Sequence, residues 1–412
     1  MIDFLVRAKS AANHMAMLDG KRKRVILLEM ANALKEHRDA IIDANTHDMA
    51  YAKKHAISDA LQDRLMLDAG RIVDMAQSLR EIAALREPVG RVLDGWITDA
   101  GFKVEKTSVP IGVIGVIYES RPNVTADVGA LCFKSGNVAI LKGGKEAEHS
   151  NRAIATILQD VLSAHDLPRE AIALLPDSSR EGVANLIKQD AYVDLIIPRG
   201  GEALIRYVAQ NATVPVVKHD KGLCHTYIDR DADTHKAIAV SINAKTRRPG
   251  ICGAMETLLV DEVIAPSILP RLKKEFEAKG TLLRGCDATR AIIKINAATA
   301  EDWDTEYLDN ILSIKVVSGV EEATEHIARH GSGHSDAILT ENHTTAEVFL
   351  NSVDSACTYL NASTQFTDGG QFGFGAEVGI STNKLHARGP MGINELTTYK
   401  YKIYGHGETR PL

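Results

Sequence analysis

One uninterrupted apolar run constrains this chain more than any other feature of its sequence. It extends from Ile111 to Ile117 (IGVIGVI), directly after Pro110. β-Branched residues favour strands, and a run without polar alternation is typical of a strand that is buried on both faces. A helical pattern over Val124–Lys134 follows, and then a second apolar run, Val138–Leu141. A strand, a helix and another strand in this order predict a parallel sheet covered by helices.

The same alternation continues through most of the chain. A helix is predicted over 150–165 and strands over Ile172–Leu175 and Val193–Ile197, and glycine and histidine interrupt the pattern between Lys218 and Ile228. The sequence therefore predicts an α/β protein with doubly wound parallel sheets and a domain boundary near residue 230. The second series consists of predicted helices and strands at Thr234–Asn243, Glu256–Val260, Ser267–Ala278, Lys315–Val317, Val320–His330, Asp336–Leu339, Thr344–Val353 and Thr358–Asn361.

Composition excludes several classes of protein. The 412 residues include 48 Lys and Arg against 54 Asp and Glu, a formal net charge of −6, so there is no basic surplus for binding nucleic acid through bulk charge. The longest apolar stretch, Val109–Tyr118, is about half of what a membrane-spanning helix needs. The N-terminus carries Asp3 and lacks the apolar segment of a secretion signal. With five sparse cysteines, the sequence predicts a soluble cytoplasmic protein with reduced thiols.

Histidines at positions 326, 330 and 334 have a spacing that metal ligands on a helix can have. Gly331 and Gly333 interrupt any helix there, so no metal site is predicted. The standard GxGxxG, GxxxxGK[ST], HExxH and GxSxG motifs are absent from the sequence.

Cys252 stands out among the five cysteines. Gly250 and Gly253 flank it and allow another group to approach the backbone closely. Lys245, Arg247 and Arg248 lie just upstream, and nearby positive charge favours the thiolate, which is the nucleophilic form. The residues alone leave two interpretations open, a catalytic nucleophile and a buried thiol beside a basic surface run.

Three polar or glycine-rich loops follow successive predicted strands. They are Tyr118–Asn123, Lys142–Lys145 and Arg199–Gly201. The carboxyl ends of parallel strands are where α/β folds bind ligands, and glycine before a helix can hold an anion. The loops together favour a nucleotide or phosphate site, although Asn123 alone could equally be a turn or cap residue.

Three longer segments carry a resemblance to a known family. They are Ile114–Asp127 (IGVIYESRPNVTAD), Asn243–Leu258 around Cys252, and Asn361–Tyr401. Through them the chain resembles the aldehyde dehydrogenase superfamily and, within it, the γ-glutamyl phosphate reductase family, over nearly its whole length. The resemblance implies two doubly wound parallel-sheet domains and a small β oligomerisation arm. It places a cofactor-binding domain at 1–230 with 97–109 in the arm, a catalytic cysteine domain at 231–385, and a return segment with the oligomerisation strand at 386–412.

The resemblance also assigns roles to single residues. Cys252 matches the catalytic cysteine, and Asn123 matches the asparagine that stabilises the oxyanion. Lys142 matches the lysine that reaches the adenosine ribose, and Glu377 matches, more loosely, the region that holds the nicotinamide ribose. The turn near the cofactor phosphates is matched by Arg199, Gly200 and Gly201.

Two departures from the wider superfamily are informative. The glutamate that activates hydrolytic water in aldehyde-oxidising members has no counterpart in the stretch 217–225, which leaves His219 and His225 as the first residues to suspect if hydrolysis occurs. An acidic residue that binds the ribose hydroxyls in NAD-preferring members is replaced by Lys145, which favours NADPH over NADH. The implied substrate carries a carboxylate and a phosphate, and the candidate cations for it are Arg121, Lys245, Arg247 and Arg248.

The implied reaction is the NADPH-dependent reduction of γ-glutamyl phosphate to glutamate 5-semialdehyde, through a thioester on Cys252, in proline biosynthesis. The alternatives are an enzyme of the same superfamily with another aldehyde or acyl phosphate as substrate, or a catalytically silent binding protein. The segments Gly101–Val109 and Thr397–Tyr404 read as exposed alternating strands, which the resemblance pairs across subunits of a homodimer or tetramer. Pairing of both strands within one chain is the alternative. A transient contact with glutamate 5-kinase is a further implied partnership.

Overall fold

The structure is a computed structural model that describes residues 1–217 and 221–410. Its N-terminal part is helical, as the sequence predicts. The second helix shows why: Asp19 caps its first turn by accepting from the backbone N–H of Arg22 at 2.9 Å, and its apolar residues recur on one face that is buried. The helices of this layer are α1 (Ile2–Ala16), α2 (Gly20–Glu36), α3 (Arg38–Lys54), α4 (Asp59–Leu65) and α5 (Ala69–Ala84).

The first sheet has four parallel strands in the order β5-β4-β3-β6, and it confirms the predicted βα alternation. Its strands are β3 (Val113–Tyr118), β4 (Val138–Lys142), β5 (Ile172–Leu174) and β6 (Leu195–Arg199), and its helices are α6 (Asn123–Lys134), α7 (Glu148–Ala164), α8 (Arg180–Leu186) and α9 (Glu202–Asn211). All six residues of β3 are buried. The strand order changes direction between β3 and β6, so the crevice at the carboxyl ends of these two strands is the expected ligand position.

The second sheet has seven parallel strands in the order β10-β9-β11-β8-β7-β12-β13. Its strands are β7 (Cys224–Ile228), β8 (Met255–Asp261), β9 (Leu282–Gly285), β10 (Asn296–Ala297), β11 (Ile311–Val317), β12 (Ser335–Leu339) and β13 (Cys357–Leu360), and its helices are α10 (Thr234–Thr246), α11 (Ala265–Ala278), α12 (Asp287–Ile292), α13 (Val320–His330) and α14 (His343–Ser352). The reading of the stretch up to Ile228 as an interruption was wrong, because β7 is a fully buried inner strand.

The cores show where the chain passes from one sheet to the other. The first core unites the N-terminal helices with the four-stranded sheet, and it also contains Val378 and Met391. The second sheet has its own core on one face, with Leu258 and Ile314 among its members. The chain thus enters the second sheet with β7, before residue 230. It returns to the first core by Val378, before residue 386. The assignment of cofactor-binding and catalytic roles to the segments 1–230, 231–385 and 386–412 stays a prediction.

A third, small antiparallel sheet projects its strands into solvent. It consists of β1 (Val92–Ile97), β2 (Lys103–Pro110) and β16 (Thr397–Tyr404), in the order β1-β2-β16. β16 pairs with β2 along its whole length within the same chain. The expectation that these two segments pair with each other only across subunits was therefore wrong, and the intrachain alternative is the one the structure contains.

A short hairpin of β14 (Gly379–Ser381) and β15 (Gly389–Met391) leads back toward this sheet. Within the described residues, no helix combines the length and the apolar character that crossing a membrane would require.

Candidate active site

The loop that carries Cys252 lies between α10 and β8, at the amino edge of the second sheet. Its backbone is tightly packed: a Cβ on Gly222 would lie 2.5 Å from the Cα of Cys252, so only glycine fits there. The Cys224 Sγ donates to the carbonyl oxygen of Cys252 at 3.1 Å, and Thr364 Oγ1 donates to that of Gly253 at 2.7 Å. These contacts hold the thiol at a defined position, which a nucleophile requires.

The charges around the thiol differ from those that the sequence suggested. Burial, followed by the carboxylates of Glu377 and Glu306, raises the pKa of Cys252 to about 12, and Arg199 opposes this shift. The upstream basic run therefore does not make Cys252 a thiolate in the unliganded protein. The reason is that burial disfavours the charged form, and the residues that surround the thiol come from other segments.

The basic residues upstream of Cys252 lie in different environments, one buried and two exposed. Lys245 is fully buried, and its Nζ lies 2.6 Å from Glu256 Oε2. Its expected role as a substrate cation is thus contradicted, because its charge is already matched inside the protein. Arg247 donates to Gln365 Oε1 at 3.3 Å and is exposed, as is Arg248.

Arg121 lies in a group of arginines near the thiol. Burial and the like charges of Arg199, Arg64 and Arg248 lower its pKa to about 10, while the charge of Cys252 acts in the opposite direction. Arg121 nevertheless retains an accessible surface. A crowded group of cations open to solvent is suited to a substrate with several negative charges.

Asn123 is the first residue of α6, at the carboxyl end of β3. Its Nδ2 donates to Asp127 Oδ2, one turn further along the helix, at 2.9 Å. Burial raises the pKa of Asp127, and the hydrogen bonds to it and the charge of Arg199 oppose this. Arg199 also interacts with Cys252. The Asn123 amide and the Cys252 thiol therefore flank the same guanidinium.

Arg199 ends β6, and its guanidinium interacts electrostatically with the Cys252 thiol; its expected place beside the cofactor phosphates stays a prediction. Burial lowers its pKa, and the charges of Glu377, Asp127 and Cys252 raise it. These neighbours show that the guanidinium belongs to the same electrostatic environment as the nucleophile. Arg199 is in this respect a residue of the reacting centre.

The following turn, Gly200–Gly201, opens α9 at the carboxyl edge of the first sheet, where an anion site was predicted. The backbone N–H of Gly201 donates to Glu119 Oε2 at 3.1 Å, and a Cβ on Gly200 would lie 2.7 Å from the Glu119 carboxyl carbon. A carboxylate of the chain itself thus occupies this turn, and the helix N-terminus stabilises its charge.

Lys142 lines a cavity of about 310 Å³ at the ends of β4 and β5. Gly143, Gly144 and Asn151 also line it, and a Cβ on Gly143 would lie 2.0 Å from Asn151 Nδ2. Lys145 begins a 3₁₀ turn directly after these glycines and is exposed. Lys142 therefore contributes positive charge to the lining, Glu148 contributes a carboxylate, and Lys145 lies beside the cavity without lining it.

Glu377 and Glu306 bring carboxylates close to the thiol. Gly369 N–H donates to Glu377 Oε2 at 2.8 Å, and Gly222 N–H donates to Glu306 Oε1 at 2.9 Å. Burial raises the pKa of both carboxyl groups. The stretch 217–225 contains no glutamate, as the sequence shows, but Glu306 brings a carboxylate to the thiol from a segment in which the sequence pattern indicated no element.

Of the two histidines suspected as hydrolytic bases, the structure describes His225. His225 is buried, and its Nδ1 lies 2.9 Å from Asp336 Oδ1. The ring of His225 is thus held by a buried carboxylate within the second sheet. His219 lies outside the described residues.

Sequence comparison agrees with the geometry. The profile of the aldehyde dehydrogenase family matches residues 3–282. The chain belongs to this family. It is 66% identical over 410 residues to a γ-glutamyl phosphate reductase of Sulfurimonas denitrificans and 64% identical over 411 residues to one of Nitratiruptor, each match covering 100% of both chains.

A solved structure extends this family relationship to three dimensions. The crystal structure of γ-glutamyl phosphate reductase from Thermotoga maritima has a TM-score of 0.98 and 44% identity, and the match covers 100% of this chain and 99% of the other. The α/β fold of the aldehyde dehydrogenase family, with its small antiparallel sheet, is thereby confirmed.

Proposed function

We propose that this protein reduces γ-glutamyl phosphate to glutamate 5-semialdehyde and phosphate with NADPH, in proline biosynthesis. The observation that carries the proposal is the end-to-end identity of 66% to a relative of that name. The half-buried thiol of Cys252 in its fixed loop, beside Arg199 and the arginines around Arg121, supports the same chemistry.

The reaction begins on the side chains of this protein. The Cys252 thiol passes its proton to a neighbouring carboxylate, Glu377 or Glu306, and its sulfur attacks the acyl carbon, which forms the S–C bond. The bond from the acyl carbon to the phosphate oxygen then breaks, phosphate leaves and a thioester remains. Asn123 donates to the oxyanion that develops during the attack. Arg199 stabilises the thiolate, and Arg121 with Arg248 offsets the charge of the phosphate and the carboxylate. The carboxylates of Glu377 and Glu306 disfavour the thiolate in the unliganded protein, and Arg199 opposes them.

The cavity beside Lys142 is suited to the adenosine end of a dinucleotide, because it lies at the carboxyl ends of two strands and Lys142 on its lining offers positive charge. We propose that Lys142 holds the adenosine ribose, that Lys145 faces the 2′-phosphate, and that the Gly200–Gly201 turn and Glu377 lie along the rest of the cofactor. The bound cofactor supplies the hydride that reduces the thioester carbon. NADPH is favoured over NADH because Lys145 places a cation where an acidic residue would repel a phosphate.

The test is the reverse reaction with glutamate 5-semialdehyde, inorganic phosphate and NADP⁺, followed by NADPH absorbance. We expect NADPH only when all three are present, and none with Cys252→Ala. Cys286→Ala is the matched control, because Cys286 is a half-buried thiol on a different loop and should keep full activity. Formation of NADPH without phosphate would indicate water as the acceptor, with Glu306 as the first base to replace. Activity with other aldehydes alone would favour a different substrate within the family.

The setting of the enzyme forms part of the proposal. We infer a homodimer or tetramer, because the antiparallel sheet exposes Trp96, Ile97, Tyr401 and Ile403. All five cysteines lie in the described residues and are unpaired, which suits the reducing cytoplasm. The partner is a small-molecule substrate rather than nucleic acid or membrane, and a transient contact with glutamate 5-kinase would transfer the unstable acyl phosphate.

A further inference from the structure

Asp127 is a half-buried acidic side chain on α6, and the Ser78 hydroxyl and the Asn123 amide both act on its carboxylate. Its Oδ1 atom is shielded from solvent. Among the described residues it forms no salt bridge within 4.0 Å, and Arg199 acts on it from a greater distance. Burying a carboxylate without a directly bound cation destabilises a protein, so a residue of this kind calls for a functional explanation.

The short contact of Asp127 is with the amide of Asn123. Asn123 Nδ2 donates to Asp127 Oδ2 at 2.9 Å, and the two residues lie one turn apart on α6. An asparagine amide has a donating and an accepting end that rotation about one bond exchanges. An ionised carboxylate only accepts, and it therefore selects the orientation in which the NH₂ group faces it. One N–H is then bound, and the second is held in a fixed direction.

We propose that Asp127 is the positioning residue for Asn123 and fixes which end of its amide faces the substrate. The inference rests on the proposed function, in which the second N–H of Asn123 donates to the oxyanion on the acyl carbon. A donor that is already oriented needs no reorganisation during the reaction, and this is the source of the stabilisation that such donors provide. A flipped amide would present its oxygen to the oxyanion and repel it.

Asp127→Asn is the decisive variant because it keeps the shape of the side chain. An asparagine at 127 can donate or accept, so the Asn123 amide is free to flip. We expect kcat to fall about tenfold to a hundredfold. This loss should not exceed the loss of about 10²–10³-fold that follows when an oxyanion donor is removed altogether. KM should stay within about threefold, since the residue does not touch substrate. The free energy of unfolding should stay equal or rise, because a buried charge has been removed.

The test is a double-mutant cycle of Asn123→Ala and Asp127→Asn. If Asp127 acts through Asn123, the Asp127→Asn substitution lowers kcat in the wild-type background and has no further effect in the Asn123→Ala background. An equal loss in both backgrounds, or no loss in either, would overturn the proposal. Should Asp127→Asn fail to fold, Asp127→Ser provides the same comparison with a smaller side chain.

A second substrate separates this inference from the proposed function. The burst of p-nitrophenol from p-nitrophenyl acetate reports acylation of the Cys252 thiol and needs an oxyanion donor, but neither NADPH nor glutamate 5-semialdehyde. In one outcome, the effects of Asn123→Ala and Asp127→Asn on the burst are coupled, but the protein does not reduce γ-glutamyl phosphate. This result would support the positioning role of Asp127 and contradict the proposed substrate. Normal reductase activity in Asp127→Asn and reduced activity in Asn123→Ala, with additive effects on the burst, would contradict the role of Asp127 alone.

Discussion

The Cys252 thiol shows how a single residue depends on segments far from it in sequence. Its pKa is raised to about 12 by burial, Glu377 and Glu306 and is held down by Arg199. The thiolate fraction is therefore small at neutral pH. As long as the pH is below the pKa, this fraction increases about tenfold for each unit by which the pH is raised. We expect alkylation of Cys252 by iodoacetamide to be slow at pH 7 and to accelerate steadily up to pH 10, as measured by mass spectrometry of the labelled peptide.

Two substitutions of opposite sign test this explanation. Glu377→Gln removes a negative charge and should lower the pKa of the thiol, which speeds alkylation at a fixed pH. Arg199→Gln removes the opposing positive charge and should slow it. Changes in the same direction for both variants would show that packing, rather than charge, controls the thiol.

Lys145 is the residue that decides between the two nicotinamide cofactors in the proposed site. Lys145→Glu places a carboxylate opposite the 2′-phosphate, so KM for NADPH should rise by at least about tenfold while KM for NADH changes little. Steady-state kinetics with both cofactors measure this. Lys188→Glu is the control, because Lys188 is exposed and lies off the lining of the Lys142 cavity. Equal changes in KM for NADPH and NADH would show that Lys145 does not lie beside the 2′-phosphate.

The sequence indicated some site residues well and others not at all. Cys252 lies between glycines before a strand, and Asn123 follows the most distinctive strand, so local pattern singled out both positions, while their roles came only from the family resemblance. Glu306 and Asp127 had no such signal. Each matters because of a neighbour far away in the sequence or because of its burial, and neither property can be read from a local pattern.

At the level of elements, the sequence predicted the strands with apolar runs and the alternating strand Thr397–Tyr404, but it missed β7, β9 and β10. β7 begins Cys-His-Thr, yet it is buried between β8 and β12 because Asp336 pairs with the His225 side chain. β9 and β10 are short strands at one edge of the sheet: β9 pairs with β11, and among the described strands β10 pairs only with β9. Tertiary pairing outweighed local propensity in all three.

The buried Lys245–Glu256 pair connects α10 with β8 beneath the Cys252 loop, and its removal should destabilise the fold. Lys245→Met leaves Glu256 buried without its cation, which costs about 3–5 kcal/mol in urea unfolding at 25 °C. Burial already raises the pKa of Glu256 to about 7, and loss of the lysine raises it further. The folded variant then binds a proton more tightly than the unfolded chain does, so its stability should fall as pH rises from 6 to 8.

Lys236→Met on the same helix is the matched control for that variant. Its ion pair with Glu341, at 2.8 Å, is exposed on both sides, and its loss should change stability by less than about 1 kcal/mol. A mild effect of Lys245→Met, equal to that of Lys236→Met and independent of pH, would contradict the account of the buried pair.

At the scale of the whole molecule, the antiparallel sheet is the part that a single chain leaves least covered. Trp96 and Tyr401 meet edge to face across it at 6.1 Å, and Ile97 and Ile403 are 67% and 63% exposed. β1 and β16 are its two edges, and their outward backbone groups have no strand beside them in this sheet. Edges of this kind with apolar side chains promote association between chains. We expect a wild-type mass of two or four chains by light scattering.

A point substitution tests this assembly more cleanly than removal of residues 397–412. Because β16 pairs with β2 in the same chain, truncation would also expose a new edge and confuse the result. Ile403→Asp leaves that pairing intact and places a charge on the exposed apolar surface, so the mass should fall toward that of one chain as the protein is diluted. Val263→Asp is the control, since Val263 has a similar exposure of 62% beside the second sheet and should leave the mass unchanged. A full oligomer in Ile403→Asp would show that the chains associate through another surface.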